Sequence, residues 1–194
     1  MQPPAVFIFS GPGGVGKTTL VEALFKKPWA KKNLVRAISA TTRARRPGEK
    51  NGKDYLFFTR AEFRRRKNAE YFLETERVLD NFYGTPRKFY TLAAAGKKSL
   101  VLCIDVKGAM HLKKTLKSGK ITTVFIAAPK PKDLLARLKK RNEKRSIITK
   151  RIALAKQELQ FIKKYDYVIV NRNVPKAVKE IEAVIKKITA GKTG

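Results

Sequence analysis

The sequence predicts an α/β fold, a parallel sheet flanked by helices, and three observations predict it. Compact apolar runs at 6–9, 99–104, 122–127 and 167–170 suit strands buried on both faces. Between them lie segments whose apolar residues recur at helical spacing. The first run passes straight into Gly11-Pro12-Gly13-Gly14-Val15-Gly16-Lys17-Thr18, which fits the phosphate-loop pattern G-x-x-x-x-G-K-[ST] without mismatch. In such a loop, glycines let backbone N–H groups turn inward around phosphate oxygens. A lysine at position 17 can reach the β- and γ-phosphates, and the Thr18 hydroxyl can ligate Mg²⁺.

Composition bounds the rest. A chain of 194 residues with 43% hydrophobic residues is one ordinary globular domain, or one domain with small insertions. No apolar run approaches the roughly 18 residues of a membrane span. Met1-Gln2-Pro3-Pro4 leads directly into the first strand, so no signal peptide is expected. The single cysteine, Cys103, excludes an internal disulfide, and with His111 alone it is too little for a zinc site. A cytoplasmic protein is expected, monomeric or a simple homodimer. The charge is unusual: 45 Lys and Arg against 15 Asp and Glu give +30. Such a surface attracts polyanions. The excess is spread along the chain, which reads as surface solvation, with non-specific nucleic-acid binding as a side effect at low salt.

Taken in order, the first helix follows the loop, with Leu20, Val21, Leu24 and Phe25 on one face, and ends near Pro28. A strand is expected over 34–39. Residues 41–55 hold the turn dipeptides Pro47-Gly48 and Asn51-Gly52 and bring Arg43, Arg45 and Arg46 close together. That cluster reads either as a phosphate clamp or as a solvated basic loop. A short strand at 55–58 precedes Thr59-Arg60-Ala61-Glu62, a capping box opening a helix. Alternation over 71–78 predicts a strand with Phe72, Glu74, Glu76 and Val78 on one face. A carboxylate there is a base-reading group or part of a solvated face. Residues 81–86 read as a turn into a helix that stops at Gly96. The strand at 99–104 ends in Asp105, where a P-loop protein places a carboxylate that reaches Mg²⁺ through water. Helices are expected over 107–117, from Pro131 to Arg141, over 147–163 with Ile148, Ile152, Ala155, Leu159 and Ile162 inward, and over 175–188. The crowded stretch from 39 to about 84 interrupts this alternation as an insertion at the sheet's carboxyl edge.

The residues then carry a resemblance. The chain resembles the guanylate kinases along nearly its whole length, with pieces in the family's order: S-G-P-G-G-V-G-K-T-T (10–19), S-A-T-T-R-A-R-R-P-G-E-x-N-G-x-D-Y (39–55), F-L-E (72–74), F-Y-G-T (82–85), I-D-V-x-G (104–108), R-L-x-x-R (137–141), K-R (150–151) and V-I-V-N (168–171). The resemblance implies a P-loop NTPase-type core at 1–38 and 86–194, an inserted small α+β GMP-binding region at 39–85, and a helical lid at 138–150. It implies transfer of the γ-phosphate of Mg-ATP to GMP, and to dGMP, in purine nucleotide metabolism. Ser39, Glu74 and Thr85 would read the base, and Arg43, Arg46, Tyr55 and Tyr83 would hold the GMP phosphate. Gly11, Gly13, Gly14, Val15, Gly16, Lys17, Thr18, Thr19, Arg137 and Asn171 would bind ATP. Lys17, Arg43, Arg141 and Arg151 would act on the transferring phosphate, and Thr18 and Asp105 (through water) on the metal. Guanine offers N1–H and its 2-amine as adjacent donors, which suit a carboxylate, whereas adenine would turn a lone pair toward Glu74.

The chain departs from the family pattern in places. Cys103 stands where an acidic residue is usual, Thr85 replaces Ser, the lid is one residue short and carries Lys144 and Arg145, and Arg172-Asn173 follows Asn171. The readings from other classes are a guanylate-kinase-like interaction module, a P-loop kinase of another small phosphorylated substrate, and a nucleic-acid binder suggested by charge alone. The intact phosphate loop argues against the first, and the matches between 39 and 85 against the second.

Overall fold

The computed structural model describes residues 2–117, 119–140 and 145–190. The elements run β1 (Val6–Ser10), α1 (Lys17–Phe25), α2 (Pro28–Asn33), β2 (Leu34–Arg36), β3 (Ala40–Thr41), β4 (Leu56–Phe57), α3 (Arg60–Asn68), β5 (Phe72–Val78), β6 (Asn81–Pro86) and α4 (Lys88–Ala95). They continue with β7 (Ser99–Cys103), α5 (Val106–Thr115), β8 (Ile121–Ala127), α6 (Pro131–Lys139), α7 (Arg145–Leu159), a 3-10 turn (Ile162–Lys164), β9 (Tyr167–Val170) and α8 (Val174–Ala190). The result is an α/β fold with a mostly parallel central sheet flanked by helices. Two compact units divide it: Asn33–Ile121 together with the chain's start up to Val6, and Phe7–Lys32 together with Thr122 onward. Among the described residues, no helix is long and apolar enough to cross a membrane.

In the unit that carries the phosphate loop, β1 is buried at every position, as a strand covered on both faces must be. Each of its large apolar side chains contributes roughly 1.5–3 kcal/mol by leaving water. β8 and β9 pair in parallel, Val124 opposite Tyr167 through Ala127 opposite Val170. Asp166 pins that register: its Oδ2 accepts from the Thr123 amide at 2.7 Å and from Thr123 Oγ1 at 2.6 Å. α1 buries Leu20, Val21 and Leu24 and packs on α8, which buries Ala177, Val178, Ile181 and Ile185 at helical spacing. Glu182 of α8 takes Lys27 and Lys186, and Lys186 also lies over the Trp29 ring at 5.1 Å.

In the other unit, β2 and β7 pair in parallel, Leu34 opposite Ser99. A four-stranded sheet, order β4-β3-β6-β5, lies between β2 and β7 in the chain. β3 runs parallel to β4 and antiparallel to β6, and β6 is antiparallel to β5. Its small core is Ala40, Phe63 and Phe72, with Leu56, Phe58, Tyr71 and Phe82 packed around them. Phe63 stacks on Phe72 and Phe82, ring centroids 4.6 and 5.7 Å apart, which fastens α3 to the sheet.

The structure corrects the sequence reading in five places. Residues 81–86 are not a turn but the strand β6, joined to β5 by Leu79 and Asp80. Leu79 adopts φ 53°, at a loop position where hairpins usually use glycine, so the turn signal was missing from the sequence. The first helix ends at Phe25, near Pro28 as expected, but Pro28 then opens an unforeseen helix, α2, a use proline tolerates because its missing N–H would be unsatisfied there anyway. The strand expected at 34–39 stops at Arg36, and a separate short strand, β3, begins only at Ala40. Only half of the capping box forms: Thr59 Oγ1 accepts from the Glu62 amide at 3.1 Å, but the Glu62 carboxylate turns to Arg66. On α7 Ala155 is buried as expected and Ile148 and Ile152 are half-buried, but Glu158 is buried as well and Leu159, expected inward, is 43% exposed.

Candidate active site

The phosphate loop is built from its glycines. Gly11 has φ 132°, and a Cβ there would lie 2.2 Å from the Ile126 carbonyl oxygen, so the loop leaves β1 close against β8 only without a side chain. Gly16 caps α1 at φ 97°, and a Cβ would lie 2.6 Å from Asn171 Nδ2. At Gly13 a Cβ would lie 2.8 Å from Arg151 Nη1, so that guanidinium reaches across the loop. Lys17 Nζ donates to the Gly11 and Pro12 carbonyls, at 2.5 and 3.1 Å. The ammonium is therefore already folded back along the loop. Thr18 and Thr19 follow in the first turn of α1, Thr18 half-buried and Thr19 exposed.

Asn171 and Arg137 converge on the Val15 carbonyl, and sequence reasoning did not foresee this. Asn171, 4% exposed, donates Nδ2 to it at 2.8 Å, and Arg137 donates Nη1 at 2.9 Å. Arg137 Nη2 also donates to the Asn171 carbonyl at 3.0 Å. Val15 itself is buried. The end of β9 and the α6 helix thus fix the loop's crest through one carbonyl. Arg141 lies outside the described residues.

The second group lies in the other unit. Glu74 projects from β5 opposite Thr85 of β6 and is 4% exposed. Thr85 Oγ1 donates to its Oε1 at 2.7 Å, while Oε2 is buried and has no hydrogen-bond partner among the described residues. Burial, with Asp105 and Glu76 as like-charged neighbours, pushes the Glu74 carboxyl up to about 8. Asp105 caps α5, its Oδ1 accepting from the amides of Lys107 (2.8 Å) and Gly108 (3.1 Å). Gly108 leaves room for the glutamate: a Cβ there would lie 2.9 Å from Glu74 Oε2.

Arg43 sits beside Tyr55, its Cζ 5.5 Å from the ring centre, and Tyr55 meets Tyr83 edge-on at 6.1 Å. Burial opposes charge on Arg43, but its hydrogen bond to Glu49 and the nearby Tyr83 leave its pKa above the ordinary value. Burial pushes the Tyr55 phenol up as well, helped by Cys103 and Tyr83, so it keeps its proton and stays a donor. Arg46 is half-buried, and Ser39 is buried beside the backbone, its carbonyl accepting from the Leu56 amide at 2.9 Å. The unit therefore brings Glu74, Thr85 and Asp105 together and, as a second cluster, Arg43, Tyr55 and Tyr83.

The metal implied by the phosphate loop can be tested against these residues. Among the described residues no three His, Cys, Asp or Glu side chains gather into a protein cage. The donor on offer at the loop is the Thr18 hydroxyl. That suits an ion arriving with phosphate oxygens and its own water, as Mg²⁺ does.

A strand passing through a glycine loop into a helix, in a mostly parallel α/β fold, defines a P-loop phosphate-binding protein. Comparison with known proteins narrows the class. The family model for guanylate kinase matches residues 4–188. Guanylate kinase from Wolbachia sp. subsp. Brugia malayi is 41% identical over 190 residues, covering 97% of this chain and 95% of that one. Guanylate kinase from Aster yellows witches'-broom phytoplasma is 43% identical over 182 residues, covering 93% and 85%. The crystal structure of guanylate kinase from Anaplasma phagocytophilum superposes with a TM-score of 0.77 at 30% identity, covering 96% of this chain and 86% of that one. The chain belongs to the guanylate kinase family.

Proposed function

We propose that this chain transfers the γ-phosphate of Mg-ATP to GMP, giving ADP and GDP. The observation that carries the reading is Glu74: a buried carboxyl with one oxygen held by Thr85 and the other unpartnered among the described residues. Guanine's N1–H and 2-amine are the adjacent pair of donors that would satisfy it. A buried acceptor left unpaired costs about 1–3 kcal/mol, so bases lacking that pair are rejected. Ser39 and Thr85 would read the base with Glu74. The phosphate of GMP would meet Arg43, Arg46 and the phenols of Tyr55 and Tyr83. None of these assigned roles concerns the ribose 2′-hydroxyl, so dGMP is expected to serve as well.

Toward ATP, the loop amides and Lys17 would hold the phosphates, with Arg137 and Asn171 keeping the Val15 carbonyl in place. Thr18 would ligate Mg²⁺, with Asp105 acting through water. Bound there with the nucleotide, the ion supplies charge neutralisation on the β- and γ-phosphates. Lys17 and Arg151 neutralise the charge that spreads over the transferring group, and the GMP phosphate oxygen attacks in line. Little covalent work falls to the protein.

The test is ADP release from Mg-ATP with GMP, dGMP, AMP, CMP, UMP or no acceptor, run beside a Lys17→Ala control. Turnover with GMP and dGMP well above the others, lost in the control, is the expected result. A folded protein without GMP-dependent turnover would defeat the proposal.

A further inference from the structure

Glu49 belongs to none of the groups assigned so far, yet it organises one of them. It follows Pro47-Gly48 in the basic loop between β3 and β4. Its Oε1 and Oε2 accept from Arg43 Nη2 at 2.7 and 3.0 Å, and Oε2 also accepts from the Arg46 amide at 2.8 Å. The Glu49 amide returns a hydrogen bond to the Arg46 carbonyl at 3.1 Å, so the loop closes on itself. Both side chains of the pair are mostly shielded, Arg43 at 11% and Glu49 at 18% exposure. Partial burial works against the Glu49 charge, but the bonds from Arg43 and Arg46 hold its carboxyl below the usual range.

The loop is anchored at its start as well. The Arg43 amide donates to Thr41 Oγ1 at 3.1 Å, and that hydroxyl donates to the Phe82 carbonyl of β6 at 3.0 Å. Arg43 Nη1 donates to the Ala44 carbonyl at 2.6 Å. These bonds fix the guanidinium plane beside Tyr55 and Phe57 and leave Nε–H without a partner among the described residues. A long, flexible side chain in a loop would otherwise lose much rotamer freedom on gripping an anion.

We propose that Glu49 is a positioning residue for the acceptor's phosphate: it presets Arg43 and the Arg46 backbone so that a monoester phosphate meets an ordered clamp. The inference rests on the GMP reading given above. It concerns the phosphate alone, so base recognition at Glu74 should not feel it.

The test compares GMP with guanosine in calorimetric titrations of the full chain, for wild type, Glu49→Gln and Glu49→Asp. Losing a shielded, charge-assisted pair should weaken GMP binding roughly ten- to hundredfold in Glu49→Gln. Guanosine binding should stay within about twofold, with partial recovery of GMP binding in Glu49→Asp. In steady state KM for GMP should rise and KM for ATP should hold. Equal losses for GMP and guanosine would show a merely structural role and overturn the proposal. So would unchanged or tighter GMP binding in Glu49→Gln, the latter marking Glu49 as a competitor of the phosphate. If wild type itself binds GMP no better than guanosine, the phosphate site on which the proposal rests falls with it, and the variants are not needed to see this.

Discussion

Raising the pH from 7 to 9 should tighten GMP binding about tenfold, because Glu74 must lose a proton to accept guanine's two donors. The carboxyl is buried and has one oxygen unpartnered among the described residues. Burial, with Asp105 and Glu76 close by, sets its pKa at about 8. The ionised fraction then climbs from about one-tenth at pH 7 to about nine-tenths at pH 9. The second ionisation of a phosphate monoester, near 6, is complete throughout this window. Tyr55 and Arg43 are both shifted upward and keep their protons across it. Calorimetry in two buffers of different ionisation enthalpy reads the effect directly. Binding should release about 0.9 proton at pH 7 and about 0.1 at pH 9, and Glu74→Gln should bind weakly with no pH dependence. The same shift acts on stability. An acid whose folded pKa lies above its unfolded value keeps a proton that the unfolded chain has lost. The folded state is therefore favoured at low pH, and that advantage is lost as pH rises from about 4.5 to about 8. A rise from 4.5 to about 8 corresponds to about 5 kcal/mol, which Glu74→Gln should remove. Affinity and proton release that do not change between pH 7 and 9 would refute the reasoning.

Three further substitutions separate recognition, chemistry and folding. Gly108→Ala places a methyl 2.9 Å from Glu74 Oε2. Helix propensity gains about 1 kcal/mol, so Tm should hold or rise while KM for GMP increases about tenfold; unchanged KM would mean that Glu74 is not the base-reading group. Lys17→Ala should lower kcat about a thousandfold yet leave calorimetric GMP binding intact, and a parallel loss of GMP affinity would contradict its assignment to ATP. Gly11→Ala forces a side chain at φ 132° against the Ile126 carbonyl, so chemical denaturation should show a loss of about 2–4 kcal/mol. Wild-type stability in that variant would count against the close approach of loop and strand.

What was legible in the sequence followed from burial on both faces or from backbone demands. β1, β7 and β8 read as apolar runs because they are buried almost throughout, β9 reads as one although Val168 and Val170 are exposed, and the phosphate loop is spelled by its glycines. The inserted region was read less well. Its strands are short and half-exposed, so their alternation is weak, and β6 was hidden by a hairpin turn through Leu79 instead of Asn-Gly. At the site, the residue types announced the chemistry but the partners stayed silent. Nothing in the sequence says that Asn171 and Arg137 share the Val15 carbonyl, because the three meet only in the fold. Nor does the sequence say that Gly108, the last residue of the I-D-V-x-G match, lies against the Glu74 carboxylate.

The charge imbalance offers a signal that the motif reading underused. With 45 basic residues and only 15 acidic ones, an acid in this chain meets a cation at almost any surface position, so its mere pairing says little. What distinguishes several of the acids is that they spend oxygens on backbone amides as well. Glu49 holds the Arg46 amide, Asp105 those of Lys107 and Gly108, Asp133 that of Lys130, and Asp166 that of Thr123. Each fixes a turn, a helix start or a strand register, where a lysine could not substitute because it has no acceptor. Glu74 instead accepts from Thr85, its Oε2 is buried without a hydrogen-bond partner among the described residues, and burial raises its pKa to about 8. If Glu74 served the fold alone, a neutral side chain of similar shape would fill the same place at lower cost, so a buried carboxyl there is what a base-reading role requires.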